Sequence, residues 1–139
     1  MNIEALRKMC ELNVIRPLVE RFRSGKGAHV WIFFKKAIPA ATARNFGFLL
    51  LDKGSTSINL KSFHYYDRMY PSQDVASSIG NLIALPLQGQ ALKNGNSAFV
   101  DENWNRKYQK KTSINFFYIL INYMISSPTW RRKNFLTAL

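Results

Sequence analysis

Two glycines, Gly25 and Gly27, decide most of what the start of this chain can build. They sit in Arg23-Ser24-Gly25-Lys26-Gly27, between Leu18–Phe22 and Ala28–Phe34. The second run is rich in β-branched and aromatic residues, which favour extended backbone, and the first also reads as a strand. Glycine reaches positive φ at no steric cost, so the pair permits a tight reversal. The pattern predicts a β-hairpin. A period of two puts Ala28, Val30, Ile32 and Phe34 on one face of its second strand, and His29, Trp31 and Phe33 on the other.

Around the hairpin the signals alternate. Residues 2–12 place Ile3, Leu6, Met9 and Cys10 at helical spacing, and Asn13 ends the run. Pro39 suits the first turn of a helix over Ala40–Leu51, stopped before Gly54. Phe63–Met69 reads as a strand carrying Asp67, and Pro71-Ser72-Gln73-Asp74 breaks it. Asn81–Leu87 reads as a buried strand, Gln88–Asn96 as a loop, and Ser97–Val100 as a last short strand. The fold class expected is α+β, a mostly antiparallel sheet with flanking helices. It covers residues 1–104. Residues 105–139 change character to basic, then aromatic-apolar, then basic, and read as a separate tail, diverged or frameshifted.

Charge narrows the partners. The net charge is +12, of which residues 106–139 carry +7 without a single acid. A basic surface suits a polyanion such as nucleic acid or a nucleotide's phosphates, and it also suits a merely solvated tail. One cysteine, Cys10, excludes an internal disulfide, and two histidines, His29 and His64, make a structural zinc site a poor fit. The most lipid-like stretch, Ile114–Ile125, is interrupted by Asn115 and Asn122 and is short against the roughly 20 residues that span a bilayer. Met1–Asn13 mixes charges with apolar residues and does not read as a signal peptide. A cytoplasmic protein without membrane contact is expected.

The hairpin turn carries the chemistry. Glycines let backbone N–H groups converge on an anion. Lys26 adds a mobile positive charge, Ser24 a hydroxyl, and His29 opens the next strand, so the segment can cradle a triphosphate. The same residues also serve as an ordinary turn with a solvated lysine and a structural histidine. The spacing is not that of a P-loop. Among the acids none forms an Asp-x-Asp pair. Asp67, inside an expected strand, is the best single metal ligand, or else an acid paired with Arg68 or Lys61. Asp74 follows a turn and suits capping it. Trp31 and Phe33 are candidates for stacking on bases, or for core. A serine hydrolase centred on Ser24 is a weak reading, because no nucleophile elbow surrounds it.

Arg23-Ser24-Gly25-Lys26-Gly27-Ala28-His29-Val30-Trp31-Ile32-Phe33-Phe34 resembles the second motif of archaeo-eukaryotic primases. Tyr66–Asp74, Gly80–Gln88 and Gly95–Asp101 follow in an order similar to the primase domain of TOTE conflict systems, an anti-invader family. The resemblance covers about residues 3–104. It implies a catalytic core with an RNA-recognition-motif-like sheet that joins nucleotides on a DNA or RNA template or primer. It further implies nucleoside triphosphates as substrates and Mg²⁺ or Mn²⁺ as cofactor. By the same resemblance Ser24, Lys26 and His29 bind the triphosphate, His29 and Asp67 are catalytic, and Asp67 ligates metal, with Asp74 as fallback. Helicase and nuclease modules of the same system are the implied partners.

Two departures qualify what the resemblance implies. The family's first motif is a pair of acids one residue apart upstream of the second. Here the upstream acids are Glu4, Glu11 and Glu20, and none makes that pair. Residues 105–139 also depart from the family's usual continuation. The expectation is therefore a truncated primase-polymerase domain, inactive by itself because one acid cannot fix two metals. A rival reading is a non-catalytic, basic nucleic-acid-binding module presenting Trp31, Phe33, Tyr65 and Tyr66. A third is a decayed gene product.

Overall fold

A computed structural model describes residues 3–34, 36–57, 66–75, 83–107 and 135–138. His64, Tyr65, Lys61, the Ile114–Ile125 stretch and the basic residues beyond 107 lie outside them.

The first helix, α1, spans Ile3–Leu12, with Leu6, Met9 and Cys10 buried as their spacing demands. Its end is closed by the Asn13 side chain, whose Nδ2 donates to the Met9 carbonyl at 2.8 Å. Ile15 N–H then reaches back to the Cys10 carbonyl at 2.8 Å. Between them Val14 stands at φ 60° while 91% exposed. Left-handed backbone costs a β-branched residue roughly 1–2 kcal/mol, and glycine avoids most of that. Val14→Gly is expected to raise unfolding stability by about 1 kcal/mol, read from urea denaturation.

The hairpin forms as expected. Strand β1 (Leu18–Arg21) pairs antiparallel with β2 (Ala28–Phe33), in register Leu18 with Trp31, Val19 with Val30, Glu20 with His29 and Arg21 with Ala28. Helix α2 runs from Ala40 to Ser57, beyond the expected stop. Gly54 does not end it. A Cβ there would meet Met9 Cγ at 3.3 Å, so the glycine instead lets α1 and α2 approach closely. Strand β3 is only Met69–Tyr70, so Asp67 lies in the segment before a strand rather than inside one. The described part of the expected Asn81–Leu87 strand, residues 83–87, is not strand. Pro86 offers no N–H to a ladder, and Leu87 takes φ 66°. Within the expected loop, Gly89–Lys93 forms a short helix, α3, and β4 (Phe99–Val100) follows. The last strand, β5, is Phe135–Ala138.

The class is α+β, and every strand pairing among the described residues is antiparallel. The sheet order is β3-β5-β2-β1-β4, so residues 135–138 insert between the hairpin and β3. Both long helices pack on one face. Leu6, Cys10, Ala43, Leu50 and Leu51 meet Val19, Ala28, Val30, Ile32, Met69 and Val100 there. Burial pushes the Cys10 thiol up to about 11, with Glu11 adding a little. Buried Arg7 ties α1 to the sheet edge, donating from Nη2 to the Val100 carbonyl at 3.1 Å. Among the described residues no helix is long and apolar enough to cross a membrane.

Strand directions gather the chemistry at one end. β1 runs into the turn, and β2 and β4 both start at that end. Because β2 and β3 each pair antiparallel with β5, they run the same way, and the residues before β3 also lie at the end that holds the turn.

Candidate nucleotide-phosphate site

The turn is built to be open. Phe22 N–H donates to the Gly27 carbonyl at 2.8 Å, and Gly25 N–H to the Phe22 carbonyl at 2.9 Å. Gly25 holds φ +77°, and a Cβ on it would stand 3.1 Å from Asn96 Oδ1. Both facts require glycine. Lys26 N–H reaches Ser24 Oγ at 3.3 Å, a local hydroxyl turn. Ser24, Gly25 and Lys26 are exposed, as an anion cradle demands.

The loop 94–97 braces the turn from the neighbouring strand. Asn96 Nδ2 donates to the Arg23 carbonyl at 3.3 Å. Arg21 donates to the Gly95 carbonyl at 3.2 Å and to the Trp104 carbonyl at 2.5 Å. Its guanidinium also sits 5.9 Å from the centre of the Trp104 ring, within cation–π range.

His29 is not out in the concavity. It is 8% exposed, on the sheet face away from the helices, and its Nδ1 lies 3.1 Å from Glu20 Oε2. The same carboxylate oxygen accepts from Trp31 Nε1 at 2.9 Å. Glu20 Oε1 accepts from Ser97 Oγ at 3.3 Å. Ser97 in turn accepts from Gln88 N–H at 3.2 Å, and the Leu87 N–H bonds its carbonyl at 2.6 Å. Both Leu87 and Ser97 hold positive φ, at 66° and 52°. Such backbone persists only where its surroundings over-determine it. Phe22 packs 4.3 Å from the His29 ring, centre to centre. The imidazole side chain keeps 11% of its exposure, and among the described residues Nε2 makes no hydrogen bond.

The two candidate acids part company. Asp67 precedes β3, at the turn's end of the sheet, with β5 between β3 and β2. At about 4.8 Å per strand, β3 and β2 are roughly 10 Å apart. Asp67 is exposed and pairs with Arg68 Nε at 3.2 Å. The Tyr70 hydroxyl first and Asp67 second push the Arg68 guanidinium up. Burial first, then Asp67, pushes the Tyr66 phenol up. Asp74 follows the opposite end of β3 and pairs with Arg44 of α2, so it stands apart from Lys26 and His29.

The family model "TOTE conflict system, Archaeo-Eukaryotic Primase domain" matches residues 1–115. The chain belongs to that primase family. No curated protein matches it. No solved structure matches it either.

Within this primase domain a metal centre is the weaker half of the expected site. Among the described residues no group of three or more His, Cys, Asp or Glu gathers to hold a metal ion. One exposed carboxylate already paired with a guanidinium does not fit a two-metal centre, which needs several oxygens at fixed spacing.

Sequence did not single out Asn96 or Ser97, and it named Glu20 only among the candidate acids, not as a partner of His29. Hairpin register was the available signal for Glu20. Pairing Leu18 with Trp31 puts Glu20 opposite His29, with Trp31 diagonal to it. No local signal announces Ser97, which reaches Glu20 across 77 positions of sequence. Trp31, a candidate stacking platform, is 3% exposed and bonded to Glu20, whereas Phe33 stacks on it at 6.3 Å and stays half-buried.

Proposed function

We propose that this chain holds the triphosphate end of an incoming nucleotide in a primase-polymerase domain of a conflict system. The observation that carries the reading is the exposed Ser24-Gly25-Lys26 turn, braced by Asn96, next to the buried His29, whose side chain is 11% exposed. A lysine ammonium and an imidazole N–H are both donors suited to phosphoryl oxygens, where the charge strengthens the bond. The reading includes an RNA-recognition-motif-like core. Its support is an antiparallel sheet with both long helices on one face and His29 on the other.

Nucleotidyl transfer on a DNA or RNA template, with Mg²⁺ or Mn²⁺, is the activity proposed for the intact domain. Asp67 is the acid this chain offers to it, from the turn's end of the sheet. The remaining carboxylates would have to come from outside residues 1–139, and these residues by themselves are expected to be inactive. Primer extension by the purified chain, with Mn²⁺ and labelled nucleotides, should stay at background. Robust extension that survives Asp67→Ala would refute both the role of Asp67 and the incompleteness of the site.

A non-catalytic nucleic-acid module is the second reading, favoured by the net charge of +12. It requires affinity for DNA or RNA that falls steeply with salt and ignores added nucleotide.

A further inference from the structure

We propose that Glu20 is the positioning residue for His29. Its carboxylate, fixed by Trp31 and Ser97, accepts from Nδ1–H and turns Nε2 toward the phosphate, where that nitrogen, carrying the ring's second proton, donates to a phosphoryl oxygen. The assignment rests on the phosphate-holding reading of His29, but its geometry is independent of that reading.

The donor count sets the direction of the bond. An indole N–H can only donate, so Glu20 Oε2, 2.9 Å from Trp31 Nε1, acts as acceptor. Glu20 Oε1 faces the Ser97 hydroxyl at 3.3 Å. The Ser97 hydroxyl already accepts from Gln88 N–H, so its own hydrogen is free to point at Glu20. A carboxylate receiving both the indole and the hydroxyl is an acceptor toward the third partner too. His29 Nδ1, 3.1 Å away, is therefore the protonated nitrogen. A histidine whose Nδ1 is tied up in this way can present only Nε2, the logic by which outer-shell carboxylates orient histidines elsewhere.

The scaffold around the carboxylate is rigid. Glu20 is 2% exposed and lies in a central strand, opposite His29 on one side and Phe99 of β4 on the other. Ser97 holds its unusual backbone so that its hydroxyl reaches the strand. The loop that carries Ser97 also carries Asn96, which braces the turn. One loop thus sets both the turn and, through Glu20, the imidazole.

The test is side-chain NMR on the full chain, labelled with ¹⁵N at histidine and assigned against His64→Gln. Long-range ¹H–¹⁵N correlation reads which ring nitrogen of His29 holds the proton. The expected result is a protonated Nδ1 in the native chain. In Glu20→Leu the pattern should move to the Nε2-protonated tautomer, and Glu20→Gln, which keeps an acceptor, should retain Nδ1–H. Titration with adenosine triphosphate should show at least a roughly tenfold weaker affinity in Glu20→Leu, where nothing accepts from Nδ1–H while Nε2–H donates to phosphate, substantially rescued in Glu20→Gln.

A bare Nδ1 in the native chain overturns the proposal even if Glu20→Leu does not fold. So does a Glu20→Leu chain that folds with an unmoved tautomer. If native triphosphate affinity ignores His29→Ala, the phosphate reading fails, and the NMR result still decides whether Glu20 sets the ring.

Discussion

Replacing Phe99 with alanine will cost the fold about 3–5 kcal/mol, the usual range for a buried aromatic truncated to a methyl. Phe99 is 2% exposed and is the largest of the fully buried side chains among the described residues. It sits in β4, in register with Glu20, on the face that also holds His29. Its backbone is committed as well, because Lys107 N–H donates to its carbonyl at 2.9 Å. β4 therefore cannot slide to fill the void. A domain of this size has roughly 5–15 kcal/mol in total, so the variant should lose at least about a fifth of its stability. Urea denaturation with an unchanged slope measures the loss. Phe99→Leu, which fills most of the space, should cost under about 1.5 kcal/mol.

His29→Ala will weaken adenosine triphosphate binding by roughly 10- to 150-fold, the equivalent of one charge-assisted hydrogen bond of about 1.5–3 kcal/mol. The same change should leave affinity for adenosine almost untouched, since the imidazole is assigned to phosphate alone. Removing the ring also empties a packed position between Phe22 and Trp31, so the variant's fold needs checking by far-ultraviolet circular dichroism. His29→Gln, whose amide nitrogen reaches about as far as the imidazole Nε2, serves as the control. Isothermal titration against tri-, di- and monophosphate separates a phosphate effect from a general loss of structure. Equal weakening for all of them and for adenosine would remove His29 from the phosphate site.

The hairpin was legible because its signals are local. Alternation along Ala28–Phe34 and two glycines in a row of turn residues point the same way, and the pairing of β1 with β2 follows. The helix α1 was legible for the same reason, through Ile3, Leu6, Met9 and Cys10. Gly54 misled because a glycine inside a helix and a glycine ending one look alike in sequence. Only the nearby Met9 shows that the contact between helices required it. Asn81–Leu87 misled because an apolar run carries no period. Its described residues 83–87 instead lead into the positive-φ turn at Leu87 that anchors the Ser97 loop.

The proposed site could be put together from sequence as a set of residues but not as an arrangement. Ser24, Lys26 and His29 could be named from the turn and from the family motif. What holds His29 could not, because Ser97 meets Glu20 only after the sheet has formed. The expectation that His29 faces the turn's concavity changes accordingly. The ring lies on the sheet, bonded by one nitrogen to Glu20. Strand β5 was hidden because four residues give no periodic signal, and its two partners lie far upstream in the chain.

The most direct measurement is a backbone ¹H–¹⁵N spectrum of the full chain, titrated with adenosine triphosphate. The account predicts shifts concentrated at Ser24–His29 and at Gly95–Ser97, saturating together and abolished by Lys26→Ala combined with His29→Ala. Shifts confined to the basic residues of 106–133, equally strong with any polyanion, would contradict it.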